Sequence, residues 1–158
     1  IDPALVEDVL YRIDGVAEAA AVAQPDRHAG EVVAAFVTPK PGVKLEAETI
    51  QSYCREHITE RAAIPKTVHI IDPMPMTAVG KIFKPALRHR AIADVFTSEL
   101  EVVSDLVASI DVRVEEDKTH GATAYVTAEP TAGADAAEIR CRIDSVLGQH
   151  TVRYVVSV

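Results

Sequence analysis

The residue types that could do chemistry are concentrated in residues 73–88, a proline-stiffened loop that contains the dipeptide Gly80-Lys81. Between residues 66 and 90 there are five basic side chains and one acid, Asp72, so the local charge is +4. The whole chain carries a formal charge of −8. A positive segment in an acidic protein predicts a small anionic ligand, such as a nucleotide, a carboxylate or a pantetheine phosphate.

Two residues of this segment have distinct physical roles. Gly80 has no Cβ, so the backbone there can approach a ligand closely. Lys81 presents a compact and mobile positive charge. The pair does not form a Walker A phosphate loop, because that motif needs a glycine where Met76 stands and a serine or threonine where Ile82 stands. From chemistry alone, the favoured interpretation is a solvated turn whose charges only keep it soluble.

The segment is expected to end in a short helix. Pro85 favours a first helical turn, and Lys84 and Arg88, four residues apart, would then share one face.

The composition is that of a globular protein without a membrane segment. The chain has 158 residues, 48% apolar and 25% charged, which argues against wholesale disorder. Its pI near 5.2 disfavours a nucleic-acid partner, and no apolar run has the length of a membrane helix. Two cysteines and six scattered histidines predict neither a disulfide scaffold nor a metal site. We therefore expect a reduced, cytoplasmic protein that binds no metal.

The charge divides the chain into two parts. Residues 1–90 hold 11 basic and 12 acidic side chains, whereas residues 91–158 hold 5 and 12. Such asymmetry predicts two units with different roles, with domains over 1–90 and 91–158. The chain opens Ile1-Asp2-Pro3 without a methionine, and we expect it to be cut from something longer.

The elements that must position the basic loop follow from periodicity and turn residues. Helices are predicted over residues 4–13 and 45–60, and strands over 16–23, 31–38 and 67–72. The first block is therefore α-β-β-α-β. The second half repeats this order, with helices over 98–108 and 134–147 and strands over 110–114, 122–128 and 151–158. We predict an α+β fold of small antiparallel or mixed sheets flanked by helices, in two successive α-β-β-α-β units.

The two halves also share a short sequence match. AFVT at residues 35–38 lines up with AYVT at 124–127, which is consistent with a duplication. The second half has no counterpart of residues 73–90, so it is interpreted as a degenerate repeat without the basic loop.

Four motifs in sequence order carry a resemblance to a known family. They are PALVE at residues 3–7, the strand–loop–strand of residues 16–37 with Gly30-Glu31, IPK at 64–66, and PMTAVGKIFKPALR at 75–88. Together they closely resemble the small C-terminal domain of adenylate-forming enzymes, most nearly a fatty-acyl or other acyl-CoA synthetase. The resemblance covers residues 1–90 and is expected to end there, with 91–158 as an extension found in some members.

The resemblance implies a two-step reaction. A carboxylic acid and Mg²⁺-ATP give an acyl-adenylate and pyrophosphate, and CoA then attacks the adenylate to give a thioester and AMP. The family's adenylation lysine falls on Lys81, which would bridge the anionic carboxylate and phosphate. Gly80 would let the loop enter the active-site cleft of the enzyme, and Thr77 and Lys84 would support the loop.

The resemblance also implies what this chain lacks. The family's hinge would lie just upstream of Ile1, and the ATP phosphate loop and acyl pocket belong to a large N-terminal adenylate-binding domain, the expected partner within the same chain. This piece alone is therefore expected to be inactive and to bind no cofactor tightly. Some CoA ligases hold pantetheine with aromatic and basic residues where Ala62, Ala63 and Ile64 stand here, so CoA contacts from this loop are not expected.

A second function class stays open. Two α-β-β-α-β units could form a non-catalytic module that senses a small molecule or mediates an interaction. The possible duplication and the absence of candidate catalytic residues from the second half favour such a module. A large adenylate-binding domain encoded directly upstream would argue against it.

Overall fold

The computed structural model describes all 158 residues. It divides into two compact units, the first formed by Ile1–Gln24 and Glu31–Arg88 and the second by Pro25–Gly30 and His89–Val158. Each unit holds a three-stranded sheet flanked by helices. The predicted α+β class and the order of two α-β-β-α-β units are confirmed.

The first unit contains two helices, three strands and a short 3-10 turn. These are α1 (Pro3–Tyr11), β1 (Val16–Asp26), β2 (Gly30–Pro39), α2 (Ala47–His57), the 3-10 turn at Arg61–Ala63, and β3 (Thr67–Ile70). The strand order is β1-β2-β3. The connection over residues 27–29 is short enough to join only antiparallel strands, whereas β3 lies parallel to β2 with His69 opposite Phe36.

Helix α1 begins where the sequence predicts. The Asp2 carboxylate accepts a hydrogen bond from the Ala4 N–H at 2.9 Å, and Pro3 occupies the first turn, where its missing N–H costs nothing. Val6, Val9 and Leu10 are buried on one face. They pack with apolar residues of β1, β2 and α2 in a single core cluster.

The second unit is built in the same order. Helix α3 (Lys84–Glu99) starts in the first unit, and the division between units falls after Arg88. A 3-10 turn at Leu100–Val103 follows, then β4 (Val107–Asp117), β5 (Gly121–Pro130), α4 (Ala136–Leu147) and β6 (Arg153–Ser157). Strand β4 pairs antiparallel and β6 parallel with the central β5.

The helix predicted over residues 98–108 is wrong. The helix lies earlier in the chain, where Leu87, Ala91 and Phe96 are buried along α3 at helical spacing. It ends at Glu99, and Val107 already begins β4. Three consecutive polar residues, Arg88 to Arg90, hide this apolar stripe in the sequence.

The two sheets match in strand order and in pairing. Phe36 of β2 faces His69 of β3, and Tyr125 of β5 faces Val155 of β6. The exposure of the central-strand positions differs: Phe36 is fully buried, whereas Tyr125 is half-buried.

Candidate functional site

Residues 75–83 form a small hairpin-like loop that precedes α3. The Phe83 N–H donates to the Pro75 carbonyl at 2.8 Å, and Met76 and Ile82 form an antiparallel bridge. Nearer the tip, the Thr77 N–H donates to the Lys81 carbonyl at 2.6 Å. The loop therefore has a defined shape of its own.

Gly80 makes the turn at the tip possible. Its φ is +82°, in the left-handed region that glycine adopts without the steric cost of a side chain. The Gly80 N–H donates to the Thr77 carbonyl at 3.0 Å, which closes a four-residue turn. A Cβ built on Gly80 meets no heavy atom within 4 Å, so the requirement here is for the backbone conformation.

Thr77 fastens this turn through its side chain. Its hydroxyl oxygen accepts a hydrogen bond from the Lys81 N–H at 3.2 Å. The backbone position of Lys81 is thus set by two contacts with one residue. Val79 at the tip is 81% exposed and Lys81 is exposed, so the Lys81 side chain is accessible to a ligand.

Lys84 lies at the base of the loop, bound to a residue that sequence reasoning missed. Its ammonium Nζ lies 2.7 Å from the Glu7 Oε2 atom. The same oxygen accepts the Ala21 N–H at 2.9 Å. Glu7 is the acid of the PALVE motif and is followed in α1 by buried Val9 and Leu10. The sequence marks Glu7 only as part of the PALVE motif and gives no signal that it meets Lys84.

A second feature of the first unit is a basic groove, formed by Arg55 of α2, Arg61 of the 3-10 turn and Lys66 before β3. These side chains line a cavity of about 400 Å³. Gln51 of α2 holds the segment Pro65-Lys66, since its side-chain amide donates to the carbonyls of Pro65 at 3.1 Å and Lys66 at 3.0 Å. Arg55 and Arg61 are separated from Lys66 in the sequence, and their convergence with it is visible only in the folded unit.

Other candidate groups have structural roles. Cys54 is fully buried, and burial raises the pKa of its thiol to about 11, so it is held as the unreactive thiol. Cys141 is exposed. The structure brings together no set of three or more His, Cys, Asp or Glu residues that could hold a metal ion. None of its helices is long and apolar enough to span a membrane.

Comparisons with known proteins find a likeness that includes most of the first unit. The AMP-binding enzyme C-terminal domain family matches residues 5–81. Marinolic acid–CoA ligase of Pseudoalteromonas sp. (strain SANK 73390) is 40% identical over 113 residues, which is 71% of this chain and 17% of the ligase. A 3-[(3aS,4S,7aS)-7a-methyl-1,5-dioxo-octahydro-1H-inden-4-yl]propanoyl:CoA ligase of Mycobacterium tuberculosis is 45% identical over 86 residues, which is 54% of this chain and 17% of that ligase.

Solved structures agree with the sequence relatives. A fatty acyl CoA synthetase of Mycobacterium tuberculosis superposes with a TM-score of 0.50 at 33% identity, over 56% of this chain and 17% of that one. An acyl-CoA synthetase of Brucella canis gives 0.53 at 32% identity, over 58% and 17%. This chain thus spans about one sixth of these relatives. The marinolic acid–CoA ligase match is longer than 90 residues, so the likeness extends past residue 90, where we expected it to end.

Proposed function

Residues 5–81 belong to the AMP-binding enzyme C-terminal domain family, and on this premise we propose that the chain is the small domain of an AMP-forming acyl-CoA synthetase that supplies Lys81 for adenylation. The observation that carries the proposal is the placement of Lys81, exposed on a turn fixed by Gly80 and Thr77. The two ligases described above catalyse formation of CoA thioesters, as their names state.

The chemistry explains why an ammonium group is needed. In the first half-reaction a carboxylate oxygen attacks the α-phosphorus of Mg²⁺-ATP, forms the acyl–phosphate bond and releases pyrophosphate. Both reacting groups are anionic, and charge accumulates between them in the transition state. Lys81 would lie between them and offset this repulsion. The sites for ATP and the acid belong to the N-terminal adenylate-binding domain, which is the proposed partner. The proposed location of the enzyme is the cytoplasm.

The basic groove suits the second half-reaction. There the CoA thiol attacks the acyl carbon, forms the thioester and releases AMP. CoA carries a diphosphate and a further phosphate, and three basic side chains along one groove match such a polyanion. Arg55 and Arg61 would therefore bind the phosphates of CoA, for which residues 62–64 have no basic side chain.

Substitution of Lys81 tests the proposal. In the intact protein that contains this chain, Lys81→Ala is expected to slow acid-dependent ATP–pyrophosphate exchange by about 10²–10³-fold, the loss typical of one electrostatic contact to a transition state. Conversion of preformed acyl-adenylate and CoA to thioester should be retained. Lys44→Ala is the matched control, because the Lys44 side chain is 89% exposed and lies elsewhere. Equal loss of both half-reactions would refute the role of Lys81.

The second unit is proposed to be a degenerate repeat of the first. The same element order, strand order and central pairing support this view.

A further inference from the structure

The shape of the loop and its placement on the domain are fixed by different contacts. The bonds among Thr77, Gly80 and Lys81 are internal to the loop. They would survive if the whole loop swung about its base. Delivery of Lys81 to a reacting phosphate requires placement as well as shape, because small displacements of a catalytic group have large effects on rate.

The base of the loop is anchored by an ion pair. Lys84 follows Lys81 by three residues and is the first residue of α3. Its Nζ lies 2.7 Å from Glu7 Oε2, and the side chains are only 33% and 19% exposed. Partial burial and the short distance distinguish this pair from an exposed salt bridge, which contributes little.

Glu7 is itself held in place. The oxygen that binds Lys84 also accepts the Ala21 N–H of β1 at 2.9 Å. One carboxylate oxygen therefore joins α1, β1 and the start of α3. Because β1 and α1 belong to the packed core of the unit, the ion pair ties the loop to a rigid part of the domain.

We infer that Glu7 is a positioning residue for adenylation, which holds Lys84 and so fixes where Lys81 is presented. The inference rests on the proposed function of Lys81. Glu7 acts through Lys84 and touches no substrate. Loss of its charge would leave the loop folded and would loosen its attachment to α1 and β1 at Lys84.

The test is Glu7→Gln in the intact protein. Glutamine keeps an oxygen for the Ala21 N–H and removes the charge that binds Lys84. Adenylation, measured by ATP–pyrophosphate exchange, is expected to fall about tenfold, which corresponds to about 1.4 kcal/mol. Thioester formation from preformed acyl-adenylate should be unchanged, whereas a general loss of folding would lower both rates. Amide exchange at Phe83 and at the start of α3 should become faster.

Two further variants complete the experiment. Lys84→Arg keeps the charge and should retain most of the adenylation rate, whereas Lys84→Met should match Glu7→Gln. The double variant should be no slower than either single one, since the two residues act as one unit. Glu46→Gln is the matched control, because Glu46 lies 3.8 Å from Lys44 and both are exposed.

The outcomes separate the inference from the function on which it rests. If Lys81→Ala abolishes adenylation and Glu7→Gln equals the native protein, the positioning role is overturned and the function of Lys81 stands. Equal loss of both half-reactions in Glu7→Gln likewise overturns it in favour of a purely structural role. If Lys81→Ala leaves adenylation intact, both proposals are overturned.

Discussion

Replacement of Gly80 by alanine isolates the effect of one backbone angle on the proposed chemistry. The φ of Gly80 is +82°, and an L-residue in the left-handed region costs roughly 1–2 kcal/mol. A Cβ there meets nothing within 4 Å, so no steric term adds to this. The native turn is disfavoured by that amount, which lowers the equilibrium constant for its formation roughly 5–30-fold. We expect Gly80→Ala to lower the adenylation rate by up to that factor.

A series at the same position sharpens the test. Asparagine tolerates the left-handed region better than alanine, so Gly80→Asn should recover much of the lost rate. Gly42→Ala is the matched control, because Gly42 has φ +77° and equally open surroundings but lies in a different turn. It should leave adenylation unchanged. ATP–pyrophosphate exchange reports the rate, and thermal unfolding checks that the core is intact.

Two results would refute this reasoning. A native rate for Gly80→Ala would mean that the left-handed turn is not needed for adenylation. A rate for Gly80→Asn as low as that for Gly80→Ala would mean that the bare backbone is needed for close approach to a ligand, and that the φ angle is secondary.

Three other predictions concern stability and reactivity. Gly15→Ala should lower the melting temperature more than the same change at an exposed turn. Its Cβ would lie 2.6 Å from Val43 Cγ1, at a φ of +93°, and this overpacking adds about 1–3 kcal/mol. An equal fall in melting temperature for both variants would contradict the clash. A thiol reagent on the native protein should label Cys141 and spare Cys54, whose pKa of about 11 and burial protect it, and peptide mapping checks this. Backbone N–H groups of the β4–β5 turn lower the pKa of Asp117. The charged carboxylate therefore stabilises the turn above the unfolded-state pKa, and this stabilisation is lost as pH falls through the lower pKa of the folded state. An NMR titration of the Asp117 carboxyl carbon that gave an ordinary pKa would contradict this.

Local patterns predicted the elements well where capping and periodicity agree. Asp2-Pro3 marked the start of α1, and the β-branched run of residues 67–72 marked β3, which spans Thr67–Ile70. Pro85 marked the first turn of α3 (Lys84–Glu99), but the helix was predicted too short. A small residue, Ala91, supplies one of its buried positions and gives little hydrophobic signal.

The loop could be predicted from sequence and its anchor could not. The spacing within residues 73–88 shows a glycine and basic residues that act locally. Glu7 and Lys84 meet only because α1 and the start of α3 come together in the folded unit. The same holds for Arg55 and Arg61, whose common groove depends on how the 3-10 turn follows α2. Contacts between distant segments need the tertiary structure.

The hydrogen bond from the Ala21 N–H to Glu7 has a consequence for solubility. Strand β1 lies at the end of the order β1-β2-β3, and unpaired N–H groups on an edge strand can recruit a strand from another molecule. Glu7 occupies one of these groups and places a carboxylate beside the edge. The residue proposed to aim the loop would therefore also protect β1 from pairing with other chains, and its loss should favour aggregation.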